Sequence, residues 1–112
     1  MLTKKTLKKI PGFIPAKKEL KHGRVEIYLH SDITTKNKGG CLVRVMCLSE
    51  PGSRTDEFIN FCKQAAMLCY GSGARSWKST IEMFPELETK RVALQDLLKE
   101  PVKVTKIATV TL

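Results

Sequence analysis

Residues 39–61 read GGCLVRVMCLSEPGSRTDEFINF, and the fold turns on how this stretch is divided. It begins as an extended apolar run from Cys41 to Leu48, apolar on both faces except at Arg44, which predicts a central strand of a sheet. It ends in a helical pattern: Phe58, Phe61, Cys62, Ala65, Leu68 and Cys69 recur at spacings of three and four and make one apolar stripe. Between the two, Ser49-Glu50-Pro51-Gly52-Ser53-Arg54 must turn the chain at a strand end, with its polar groups outward. Such a turn is where function is sought first, because loops carried on rigid elements hold most binding residues. Ser53-Arg54-Thr55-Asp56 fits a capping box, the Ser hydroxyl and the Asp carboxylate each taking up a free backbone N–H at the helix start.

Working outward, Arg24 to His30 alternates, with Val25, Ile27 and Leu29 on one face and Glu26, Tyr28 and His30 on the other, as a half-buried strand requires. Asp32 to Gly40 is rich in turn formers and reads as a hairpin loop. On the other side, the central helix is expected to stop at Gly71-Ser72-Gly73, and Trp77, Ile81, Met83 and Phe84 to form a short helix or collar. A second long helix should run from about Pro85 to Lys99 with Leu87, Leu94, Leu97 and Leu98 facing inward, ended by Pro101. Val102, Val104, Ala108 and Val110 then alternate with Lys103, Thr105, Thr109 and Thr111 in a third strand. The order strand, strand, helix, helix, strand predicts an α+β fold: a small three-stranded antiparallel sheet covered on one face by two or three helices.

The chain has 112 residues, enough for one core and one domain. No apolar run approaches the roughly 20 residues that cross a bilayer, and the lysines near the start precede no apolar signal stretch, so a cytoplasmic protein with no membrane contact is expected. Cys41, Cys47, Cys62 and Cys69 sit among apolar neighbours rather than in the close pairs that hold zinc, and His22 and His30 complete no ligand set. They read as buried free thiols, with no metal and no cofactor. The net charge of +9 is uneven, because residues 1–24 hold seven lysines and Arg24 against Glu19 and so account for +7 of it. The domain reading is therefore a basic arm over residues 1–22 and a nearly neutral core over 23–112. An arm of this kind is most often a solvated tail; as a function it would offer RNA contacts through Lys4, Lys5, Lys8 and Lys9, although Phe13 is its only aromatic for stacking.

No phosphate-binding glycine loop, nucleophile elbow or H-E-x-x-H is present, and the cluster Glu50, Asp56 and Glu57 is explained by capping and solvation. These absences favour a binding protein over an enzyme. The residues also resemble a known family, the core domain of translation elongation factor Ts. Gly23-Arg24-Val25-Glu26-Ile27-Tyr28-Leu29-His30 is similar to the family's G-x-V-x-x-Y-[IL]-H strand, and Gly40-Cys41-Leu42-Val43-Arg44-Val45-Met46-Cys47 to its G-x-L-V-x-V-x-C strand. Arg54-Thr55-Asp56-Glu57-Phe58 resembles its [RK]-x-x-x-F helix start, and Arg91-Val92-Ala93-Leu94 with Lys99-Glu100-Pro101-Val102-Lys103-Val104 resembles its closing helix and strand. The resemblance covers roughly residues 17–112.

It implies a guanine nucleotide exchange factor for elongation factor Tu, acting in protein synthesis without covalent chemistry and with no catalytic residue of its own. The implied partner-binding residues are Ser49, Glu50, Pro51, Gly52, Arg54, Tyr28 and His30. Tyr28 and His30 read equally well as packing on the sheet face, and Pro51-Gly52 as a tight turn ahead of a helix with Glu50 favouring the helix dipole. The family's T-D-F-V signature falls on Ser49, Glu50, Pro51 and Gly52; Ser and Glu are near equivalents, whereas Pro and Gly give up the inserted Phe. The family's N-terminal helical domain is expected to be missing or reduced to the basic arm, and a single core subdomain to be present, so a homodimer or a two-plus-two complex is one implied assembly. Two other readings stand beside exchange: an EF-Tu-binding or stabilising subunit without exchange activity, and a basic RNA-binding module.

Overall fold

The computed structural model describes residues 20–73 and 75–112. In chain order it forms β1 (His22–His30), β2 (Gly39–Cys47), the single turn α1 (Glu50–Ser53), α2 (Asp56–Ser72), α3 (Trp77–Met83), α4 (Pro85–Leu98) and β3 (Val102–Thr111). The three strands make one antiparallel sheet in the order β1-β2-β3, so the apolar run of β2 is central, and the α+β architecture is the one expected. The basic arm lies outside the described residues except for its last three.

The core is the inner face of β2 against one side of α2. Cys41, Val43, Val45 and Cys47 are buried on the strand, and Phe58, Phe61, Cys62, Ala65, Ala66 and Cys69 on the helix, with Leu94 and Val102 closing the cluster. Four of the six helix residues are small, which lets the helix axis lie close to the sheet while Phe58 and Phe61 fill its first turns. The helix starts at Thr55, whose Oγ1 accepts from the Phe58 amide at 3.2 Å, and it stops at Gly73, whose φ of 66° is the left-handed conformation that glycine adopts without steric penalty. The cap is thus Thr55 and not Ser53. The Ser53 hydroxyl instead donates to the Glu50 carbonyl at 2.6 Å and closes α1, which is the turn expected between strand and helix wound into a single helical turn.

Two strands present their side chains differently from the expectation. In β1 the alternation is present but inverted: Arg24, Glu26, Tyr28 and His30 face the helices, and Val25, Ile27 and Leu29 are 55%, 60% and 62% exposed on the far side of the sheet. Arg24 can lie inward because its Nε donates to Glu26 at 2.6 Å, so two charges enter the sheet-helix layer as a pair. In β3 a bulge at Arg44/Val45 changes the pairing from Val45↔Val104 to Arg44↔Lys106, so one extra residue enters and the parity changes. Val102 and Val104 point inward before it and Ile107 and Thr109 after it, which moves Ala108 and Val110 to the outer face. Leu97, expected inward, is 60% exposed, while Leu87 and Leu94 are buried as expected.

The four thiols are buried and none is bonded to another. Burial pushes Cys62 up to about 12 and Cys47 and Cys69 up to about 11; the Glu100 carboxylate adds to the rise at Cys47, and at Cys69 a hydrogen bond from Thr80 opposes it. Because the thiolate is the nucleophile, a disulfide reagent at pH 8 should modify the native protein far more slowly than the unfolded chain. Rapid labelling of any of these three without denaturant would contradict the buried core.

Arg91 ties the last helix to the rest. Its Nε donates to both Glu88 oxygens (3.0 and 2.9 Å), and its Nη1 to Gln95 Oε1 (2.9 Å) and the Val102 carbonyl (2.8 Å). Glu88 also accepts from Trp77 Nε1 at 3.1 Å, and Gln95 Oε1 from the Val102 amide at 3.0 Å. One guanidinium therefore fixes α4 to α3 and to the start of β3. The Arg91 hydrogen bonds hold the Glu88 carboxyl below the usual carboxylate range. A group lowered on folding stabilises the native state above its unfolded pKa, and that stability is lost as pH falls through the folded value. Thermal stability should accordingly decline on acidification below the ordinary glutamate range, and Glu88→Gln should flatten that decline; an identical acid limb in the variant would contradict this.

Candidate functional site

The turn after β2 is a clamped corner. Ser49 caps α1, its Oγ accepting from the Gly52 amide at 3.1 Å, and Pro51 supplies the preset φ that suits a first helical turn. The Glu100 carboxylate reaches across from the α4–β3 junction and accepts twice from Ser49, from the amide at 3.0 Å and from the hydroxyl at 2.7 Å. Gly52 is buried because this carboxylate lies over it: a Cβ there would stand 2.5 Å from Glu100 Oε1. The Thr55 hydroxyl donates to the Gly52 carbonyl at 2.9 Å, and the Cys47 thiol to the Ser49 carbonyl at 3.2 Å. Five hydrogen bonds thus hold the inner side of six residues.

The outer side is open. Glu50 at the start of α1 pairs with Arg54 at its C-terminal cap, and their side chains remain 55% and 75% exposed. Pro51 is exposed between them. The corner therefore presents an anion, a small apolar ring and a cation on a backbone that cannot easily give way. That suits recognition of another macromolecule, since prearranged groups lose little freedom on binding. Among the described residues no group of three or more His, Cys, Asp or Glu side chains gathers to hold a metal ion, and no helix is long and apolar enough to cross a membrane.

Of the candidate residues, Ser49, Glu50, Pro51, Gly52 and Arg54 come together, Ser49 and Gly52 as inner supports and the other three facing outward. Tyr28 and His30 do not join them. They sit at the other end of the sheet, opposite Cys41 and Gly39, roughly 25 Å from the corner along β2 at about 3.3 Å per residue. There the Tyr28 hydroxyl and His30 Nδ1 are 2.9 Å apart, and both rings pack on Tyr70 of α2, with centroids at 5.6 and 4.9 Å. This is sheet-to-helix packing, one of the two readings the sequence left open for them. Glu100 is the site residue that sequence reasoning missed. It lies 51 residues from its partner, and its only local mark is the position between Lys99, in the left-handed conformation that ends α4, and Pro101.

Compared with protein-family models the sequence matches none, and no curated protein matches it either.

Proposed function

We propose that the protein is a guanine nucleotide exchange factor for elongation factor Tu, working through the corner at the end of β2. The observation that carries this reading is the exposure of Glu50, Pro51 and Arg54 on a turn whose inner side is pinned by Glu100. The ordered resemblance of β1, β2, the start of α2 and the α4–β3 junction to the elongation factor Ts core supports it. An exchange factor does no covalent chemistry: it binds the nucleotide-free GTPase more tightly than the GDP-bound form, and by linkage GDP is then held more weakly to the same degree. The work is a coupling free energy delivered by a stiff surface.

A second reading has its own observation. Gly52 is buried beneath Glu100 and Pro51 is the one apolar side chain the corner turns outward, so the wedge available for separating helices of a partner is small. On that reading the protein binds the same GTPase and stabilises it without speeding release. Affinity separates the two. Titration against nucleotide-free and GDP-loaded elongation factor Tu should give about tenfold tighter binding to the nucleotide-free form if exchange is the function, a ratio within the usual range of coupling energies. Equal affinities would assign the stabilising role, and no binding to either form would remove both. The basic arm and its RNA reading lie outside the described residues; deleting residues 1–18 should leave the GTPase affinity largely unchanged.

A further inference from the structure

On the side of the sheet away from the helices lies a face that none of the described helices covers. Cross-strand neighbours share a face, so the register places Val25, Ile27 and Leu29 of β1 beside Arg44, Leu42 and Gly40 of β2. Beyond the bulge, β3 adds Lys106, Ala108 and Val110 to the same surface, and before it Lys103 lies beside Met46. The apolar side chains form a band along β1 and across the Gly40 end of the sheet. The cations Arg44, Lys103 and Lys106 fill the remaining corner, where Leu20, Met46 and Thr105 line a shallow depression with Arg44 and Lys103. Among the described residues, the side-chain hydrogen bonds there are between Arg44 and Thr105, Nε donating at 2.7 Å. No strand residue on this face is a carboxylate, so among the described residues the three charges meet no counter-ion on their own surface.

We propose that this outer face docks an acidic amphipathic helix of a partner protein, on a surface separate from the corner at the end of β2. Contiguous apolar side chains left open on a soluble sheet mark an interaction surface, and the charge beside them selects the occupant. A second copy of the chain would bring three more cations and no anion against the same patch, and residues 1–19, with six lysines and Glu19, would bring the same sign. The dimensions suit a helix: three strands and nine residues give a surface about 14 Å by 30 Å, wide enough for one helix of about 10 Å diameter lying along it. Its apolar stripe would meet Val25, Ile27, Leu29 and Leu42, and carboxylates on one flank would meet Arg44, Lys106 and Lys103.

The test uses the full chain and two synthetic peptides of about 20 residues, enough to span the sheet as helix. Both carry a leucine stripe; one has glutamates along a flank and the other lysines. The glutamate peptide should bind at least tenfold more tightly, move the amide resonances of Ile27, Leu29, Leu42 and Val110, and lose affinity with added salt. Arg44→Glu with Lys106→Glu should abolish the preference, and Ile27→Thr, at an exposed strand position, should weaken binding without unfolding the protein. Equal affinity for the two peptides, or none for either, would overturn the proposal. So would a dimer in sedimentation that Ile27→Thr dissociates, a change in those amide resonances on deleting residues 1–18, or adsorption to vesicles containing anionic phospholipid that the glutamate peptide does not compete away.

Discussion

Phe58→Ala is expected to destabilise the protein by about 3–5 kcal/mol, a large share of the roughly 5–15 kcal/mol that holds a domain of this size together. Phe58 has no exposure at all and is among the largest fully buried side chains. It occupies the first turn of α2, directly behind the Thr55 cap, where the helix meets the buried face of β2. Removing the ring loses the transfer free energy of its carbons and leaves a cavity that β2 cannot collapse to fill, because its register is fixed by pairing on both sides. Phe58→Leu keeps much of the volume and should cost well under half as much. Urea unfolding followed by circular dichroism measures both, and a loss below about 1 kcal/mol for the Ala variant would contradict the assignment of Phe58 to the core. The corner should suffer with it, since Thr55 caps α2 while its hydroxyl also supports Gly52.

The largest functional effect is expected from Glu50→Asp combined with Pro51→Phe, which restores an acid and an aromatic ring to the outward side of α1. A buried Phe removes on the order of 150–250 Å² from water, which at about 25 cal/mol per Å² is several kcal/mol available to the partner complex. Proline recovers part of that area. If even 1.4 kcal/mol of the difference is expressed in the nucleotide-free complex, GDP release accelerates about tenfold. Both positions are exposed, so the fold should tolerate the change; the Glu50–Arg54 pairing is weakened by the shorter acid, a minor loss for an exposed pair. Release from elongation factor Tu would be compared for the double variant and the natural sequence at saturating concentration. An unchanged rate would mean that the corner does not reach the nucleotide site.

The elements whose residues repeat at one period were legible in the sequence. The β2 run, the α2 stripe and the order of strands and helices follow from apolar spacing and turn chemistry, and the sheet forms with β2 in its centre as that pattern requires. What the pattern could not supply was which face of a strand looks inward. In β1 the apolar set is outward because an Arg24–Glu26 pair and the stacked Tyr28, His30 and Tyr70 rings satisfy the inner face instead. In β3 one bulge residue reverses the parity halfway, and no local signal marks it. At the corner, the outward Glu50, Pro51 and Arg54 were readable from their position between strand and helix. The Glu100 clamp was not, because it joins segments 51 residues apart and only the closed fold brings them together.

The most direct measurement is the rate of release of fluorescent GDP from purified elongation factor Tu when the full chain is added in excess. The account predicts acceleration that rises with concentration and saturates, and that falls when Arg54→Glu reverses the charge on the exposed side of the corner. Release unaltered at a concentration where binding is complete would contradict it.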